Sequence, residues 1–267
     1  MAKGERGGRR SGGGSAGTAG AAAASGTPVD FEQAFKPELT TREWDERRKA
    51  ENDFPEFARQ FGEEPSVLDE TRMYSHSSGN AGYISTGHAF EINRKLYNPI
   101  NEDYTITDIF SKPADRATIK ALDKNINSHS TPADGAYTRF CTRESIKSAF
   151  GLTTDQLMML EGADGMTRGE LKNLSKALTG TSSLSLSYTS TSANREMNVF
   201  THRTFERRIS VPKGTKAFAC SKNADEAEVI FGRGMKTKIT GISVNKDGGI
   251  VIHEMFDGYS SKAHKFK

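Results

Sequence analysis

Cysteine is scarce in this chain, with two in 267 residues, Cys141 and Cys220. Two thiols make neither a disulfide framework nor a metal set. They are expected as buried thiols in strands, with a single disulfide left open. The six histidines show no ligand spacing, so no metal is expected. Apolar residues reach only 34%, so part of the chain is expected to stay unpacked. No run approaches the roughly 18–20 apolar residues of a membrane-spanning helix. No apolar stretch follows the N-terminal basic residues, so a conventional secretory signal is not expected. Charge of either sign is not in excess: 37 basic and 34 acidic residues leave +3, which argues neither for nor against nucleic acid. No internal repeat is present.

What is present changes texture along the chain. Residues 1–27 are rich in Gly, Ala and Ser, with Lys3, Arg6, Arg9 and Arg10 near the start. Such a segment buries too little apolar surface to offset its ordering entropy, so it is expected to be a disordered tail. Residues 28–75 are charged, with scattered aromatics at Phe31, Phe35, Trp44, Phe54, Phe57 and Phe61. They are expected to form a helical appendage or linker. One short helix is expected over Arg42–Asn52, capped by Thr41 and ended by Pro55.

The main domain is expected over 76–260, helices first. The run from Gly82 to Leu96 reads as a turn and then a helix with Phe90, Asn93 and Leu96 on one side. Pro113 opens another helix, whose Ile119, Leu122 and Ile126 share a face. Arg143–Phe150 reads as a helix stopped by Gly151, and Thr167…Glu170 is a capping-box pattern ahead of Leu171, Leu174 and Leu178. Strands follow. Gly135–Cys141 carries Arg139, and Leu184, Leu186 and Tyr188 alternate with serines up to Ser190-Thr191-Ser192. Arg207–Val211, Lys216–Cys220, Glu226–Phe231, Lys236–Asn245 and Ile250–Phe256 complete the set, the last two joined by a hairpin turn. The fold class is α+β, with an antiparallel β core and helices against it.

The most informative stretch is Glu226-Ala227-Glu228-Val229-Ile230-Phe231. Alternation along a strand puts Glu226, Glu228 and Ile230 on one face, with the two carboxylates roughly 6–7 Å apart at the backbone. Alone, such a pair is most simply a solvated strand face. Its company changes that. An arginine on an early strand, a Ser-Thr-Ser run, Phe200-Thr201-His202-Arg203 and the Glu-x-Glu strand follow one another in order. Together they resemble the arginine–serine–glutamate class of mono-ADP-ribosyltransferases, which includes binary-toxin, exoenzyme and phage transferases. The resemblance runs from about His76 to Phe256 and takes in Ile92-Asn93-x-x-Leu96 and Val211-Pro212-Lys213-Gly214. Thr138 stands where that family usually has an aromatic residue before its arginine.

The resemblance implies an ADP-ribosyltransferase-like fold with a two-sheet β core, and NAD as a substrate. It implies that Glu228 offsets the charge of an oxocarbenium-like transition state. Glu226 would act on the acceptor, and its being Glu implies an arginine acceptor on a target protein. Ser190 would hold Glu228. Arg139 and Arg203 would hold the pyrophosphate, with Thr191 and Ser192 also lining the NAD site. Phe200 would stack on nicotinamide, and the Phe140 backbone would meet its carboxamide. Two alternatives stand beside the transferase: an NAD glycohydrolase on the same fold and an inactive protein-binding module. The setting is left open between a secreted or injected effector, a virion-carried protein and a cytoplasmic one.

Overall fold

A computed structural model describes residues 53–75, 82–84, 87–97, 104–195, 198–220 and 226–266. The expected tail over 1–27, the helix over Arg42–Asn52 with Phe31, Phe35 and Trp44, and the segment 221–225 lie outside the described residues.

Helices begin where side chains can satisfy their first amides. Helix α1 spans Asp53–Arg59, and α2 (Val67–Tyr74) is capped by Ser66. α3 covers His88–Tyr97, α4 covers Ile106–Ile109 and α5 covers Pro113–Ser128, with Pro113 in the first turn. α6 (Arg143–Phe150) is capped by Thr142 and ends at Gly151 in the left-handed region, φ 61°. α7 (Thr154–Glu161) and α8 (Arg168–Leu178) each open on a complete capping box, Thr153/Gln156 and Thr167/Glu170. On α3 the buried residues are Ile92 and Leu96, whereas Phe90, read on one side with Asn93 and Leu96, is 63% exposed.

The strands are β1 (Gly135–Cys141), β2 (Ser182–Ser185), β3 (Thr189–Ser192), β4 (Phe205–Val211), β5 (Ala217–Ala219), β6 (Glu228–Phe231), β7 (Met235–Val244) and β8 (Ile250–Tyr259). All eight join in one sheet ordered β2-β7-β8-β4-β1-β3-β6-β5. Two sheets were expected, but a hydrogen-bonded link makes them two wings of one. β1 meets β3 through a single registered pair, Thr138↔Ser192. The β core is also not wholly antiparallel, because β4 runs parallel to β8. The serine-rich run that reads as one strand is two. β2 lies at one edge against β7, and β3 lies five places away between β1 and β6.

Three cores flank the sheet. α6, α7 and α8 bury Ile146, Leu157, Leu160, Leu174 and Leu178 against the start of β4 and the pair β7–β8. Phe54, Ala58 and Phe61 pack with Tyr137, Val229 and Phe231 on one side of β6. Met73, Ile92, Leu96, Ile119, Leu122 and Ile126 pack with Tyr188, Phe218 and Ile230 on the other. Each such aliphatic side chain, fully buried, contributes about 1.5–3 kcal/mol.

Candidate active site

The strand β6 begins at Glu228, two residues later than its alternating pattern suggests. Ala227 has φ 46°, a left-handed conformation that a residue with a Cβ seldom adopts. It sits fully buried between the two glutamates. From Glu228 onward the alternation holds: Val229 and Phe231 enter one core and Ile230 the other. Glu226 is off the strand, on the turn before it, so strand geometry does not set its direction.

Register brings the serine run to this strand. Ser192 pairs with Glu228 and Ser190 with Ile230, so both serines share the face of Glu228. Ser190 and Glu228 are diagonal neighbours, about 7–8 Å apart at the backbone. Thr191 faces the other way, buried, and its hydroxyl donates to the Val229 carbonyl at 2.8 Å. Its side chain is therefore not brought to the others. Ser192 is also buried, its hydroxyl within 2.7 Å of the Glu226 carbonyl oxygen.

On β1, Arg139 is half-buried between buried Thr138 and Phe140, and its Nη1 donates to the Ser190 carbonyl at 3.0 Å. A turn in the 198–204 loop, closed by the Arg203 amide on the Phe200 carbonyl, folds the Arg203 guanidinium over the Phe200 ring, 4.0 Å from its centroid. Arg203 Nη1 also donates to the Phe140 carbonyl at 3.1 Å. Burial lowers the Arg203 pKa below its ordinary value, and the like charge of Arg139 adds to that. Among the described residues neither guanidinium has a carboxylate partner. Two such forks, each donating to a backbone carbonyl, suit a pyrophosphate. The exposed Phe90 ring stands 6.5 Å from that of Phe200.

Tyr83 was not singled out in the sequence. It is 1% exposed, and its hydroxyl lies beside the Ser190 side chain and takes a 2.8 Å hydrogen bond from Asn93 Nδ2. Burial pushes its pKa up to about 12, so it stays a neutral hydrogen-bonding group beside Glu228 and Arg139. Gly82 makes the placement possible, because a Cβ there would lie 2.2 Å from the Met73 carbonyl oxygen. Asn93 also accepts the Tyr188 amide at 3.1 Å, and Tyr188 donates to Asp123 at 2.6 Å. Asp123 in turn is ion-paired to Arg233. The Gly82-Tyr83 pair was the signal to follow, a glycine ahead of an aromatic residue.

A cavity of about 460 Å³ opens beside Phe140 and Arg203, lined further by His202, Glu206 and the β7–β8 turn. Arg139, Ser190 and Glu228 do not line it. Among the described residues, no group of His, Cys, Asp or Glu is placed to hold a metal, and no helix is long and apolar enough to cross a membrane.

The family model for ADP-ribosyltransferase exoenzymes matches residues 57–257. The chain is similar to C3stau2 of S. aureus, solved with NAD, at 19% identity and TM-score 0.59, covering 80% of this chain and 95% of that one. It is similar to the C3 exoenzyme of Clostridium limosum at 19% identity and TM-score 0.55, covering 80% and 94%. Plx2a, an ADP-ribosyltransferase toxin of Paenibacillus larvae, aligns at 17% identity and TM-score 0.54, over 80% and 96%. At these identities the likeness speaks for the fold. No curated protein sequence matches the chain significantly.

Proposed function

This chain belongs to the ADP-ribosyltransferase exoenzyme family and is an NAD-dependent mono-ADP-ribosyltransferase; on that premise we propose that its acceptor is an arginine side chain of a target protein in a host or invaded cell. One observation carries the reading. Ser190, Glu228, Tyr83, Arg139 and Arg203 lie together, with a second glutamate on the turn just before.

In the reaction, the bond from ribose C1′ to the nicotinamide nitrogen breaks, and its electron pair leaves with neutral nicotinamide. Glu228 offsets the positive charge growing on the ribose, an electrostatic role that is often the largest catalytic contribution. Ser190, with Tyr83 beside it, holds that carboxylate's surroundings. Arg139 and Arg203 grip the pyrophosphate, and Phe200 stacks on nicotinamide. The Phe140 carbonyl, which now accepts from Arg203, would turn to the carboxamide when NAD enters. A guanidinium nitrogen then gives its proton to Glu226 and uses the freed pair to bond C1′. Without a base, a group with a pKa above 12 is a poor nucleophile.

Labelled NAD with agmatine, a small guanidinium acceptor, tests this, as does a cell lysate read by mass spectrometry. Glu228→Ala is expected to lower nicotinamide release about 10²–10³-fold. Glu226→Gln is expected to keep nicotinamide release while losing label on the acceptor. Undiminished labelling by Glu226→Gln, or label on residues other than arginine, would sink the arginine reading. Free ADP-ribose with no labelled acceptor from the wild type would make the chain a glycohydrolase.

A further inference from the structure

Ser192 is 2% exposed, and its hydroxyl is spent on backbone groups. The oxygen accepts the Asn194 amide at 3.1 Å. Its one proton lies between two carbonyl oxygens, Asn194 at 2.5 Å and Glu226 at 2.7 Å. The next peptide is pinned too, because the Ala227 carbonyl accepts the Ala193 amide at 2.9 Å. Between these two holds lies Ala227, at φ 46° and without the freedom of glycine. Ser192 is also the residue through which the sheet's two wings join, paired with Thr138 on one side and Glu228 on the other. The turn that aims Glu226 is thus tied to the best-anchored point of the strand that faces Glu228.

We propose that Ser192 is a positioning residue for Glu226, and that it sets how much ADP-ribose goes to a guanidinium rather than to water. The inference rests on the reading that Glu226 takes the acceptor's proton. Both fates begin with the same loss of nicotinamide. In one, a guanidine nitrogen bonds C1′ and its proton passes to Glu226. In the other, a water oxygen bonds C1′ and its proton passes to solvent. Only the first needs the Glu226 carboxylate at one place. A residue that holds the Glu226 backbone therefore acts on the partition between products. A residue that touches NAD acts on the KM for NAD.

The test is the ratio of ADP-ribosyl-agmatine to free ADP-ribose, measured with the KM for NAD, in full-length protein. Ser192→Ala is expected to lower the ratio about fivefold, the effect of losing one hydrogen bond to a backbone carbonyl. Ser192→Thr keeps the hydroxyl and is expected to restore the ratio. Both products come from the same folded molecules, so a loss of folded protein leaves the ratio unmoved. The proposal is overturned if Ser192→Ala leaves the ratio unchanged, if it raises only the KM for NAD, or if Ser192→Thr lowers the ratio as far. Glu226→Gln separates this from the parent reading. A ratio unmoved by Glu226→Gln defeats the acceptor role of Glu226 itself. A ratio that collapses with Glu226→Gln but holds with Ser192→Ala defeats only the role of Ser192.

Discussion

The two wings of the sheet treat charge in opposite ways. The wing β2-β7-β8-β4-β1 is built on two ten-residue strands and buries its charges. Arg207, on β4, meets Glu254, on β8, through two 2.6 Å bonds, with Ser183 and Thr237 around them. Beside it, buried Glu206 receives both Arg195 and Arg208. The wing β3-β6-β5 has strands of three and four residues, and its core residues Ala217, Ala219, Val229 and Phe231 are apolar. Its glutamate, Glu228, stays half-exposed. Charges that are paired and desolvated lock strand register, because separating them leaves an uncompensated ion in the interior. On the proposed reading Glu228 meets a transient positive charge, and it sits at the margin, where a substrate can reach it. The long wing ties its charges to one another, and the short wing leaves Glu228, the proposed reactive carboxylate, half-exposed.

The sharpest way to break this contrast is to remove one partner of the buried pair. Arg207→Ala is expected to destabilise the fold by about 3–5 kcal/mol, read by urea denaturation, because Glu254 is left buried and alone. Replacing both by apolar residues of similar size should cost less than either single change. A loss under ~1 kcal/mol from Arg207→Ala would mean that the long wing is not held by its charges.

A second test uses pH. His253, on β8, is buried, with Ser243 of β7 at 2.7 Å from its Nε2. Burial lowers its pKa to about 4, with Arg208 on β4 adding to the effect and Glu206 opposing it. The folded pKa lies below the ordinary value near 6.5. As pH falls through that window the unfolded chain takes up a proton that the folded chain refuses, so stability drops between roughly pH 6.5 and 4. The span corresponds to about 3 kcal/mol. His253→Asn is expected to flatten that part of the stability curve. An unchanged curve would remove His253 as its cause.

The smallest effect is expected in the short wing's surroundings. Tyr83→Phe keeps the ring and removes one hydroxyl, so NAD turnover should fall roughly three- to tenfold with little change in melting temperature. A full-strength variant would show that Tyr83 only fills space beside Ser190.

Much of the architecture was legible. The capping box at Thr167, the αL stop at Gly151, Pro113 in the first turn of α5 and the face Ile119, Leu122, Ile126 all lie where local chemistry puts them. The α7 helix was missed although Thr153 and Gln156 make the same capping box. Its apolar run Leu157–Leu160 lacks a clear stripe, since Met158 and Met159 are exposed. Of the proposed site, Arg139, Ser190, Phe200, Arg203 and Glu228 are candidates that residue order supplies. The place of Tyr83 beside Ser190 could not be read that way, because the two are distant in sequence and meet only through packing.

The sequence by itself determined the helix starts and stops, the strands with strong alternation and the family, because those depend on near neighbours and on short runs of particular side chains. The tertiary structure alone decided three things. It split the serine-rich run between two distant places in the sheet, joined the wings at Thr138 and Ser192, and turned Glu226 off the strand through a left-handed Ala227. Alternation cannot report any of these. An alanine reveals nothing of a positive φ, and which hydroxyl closes which turn depends on hydrogen bonds between segments 34 residues apart.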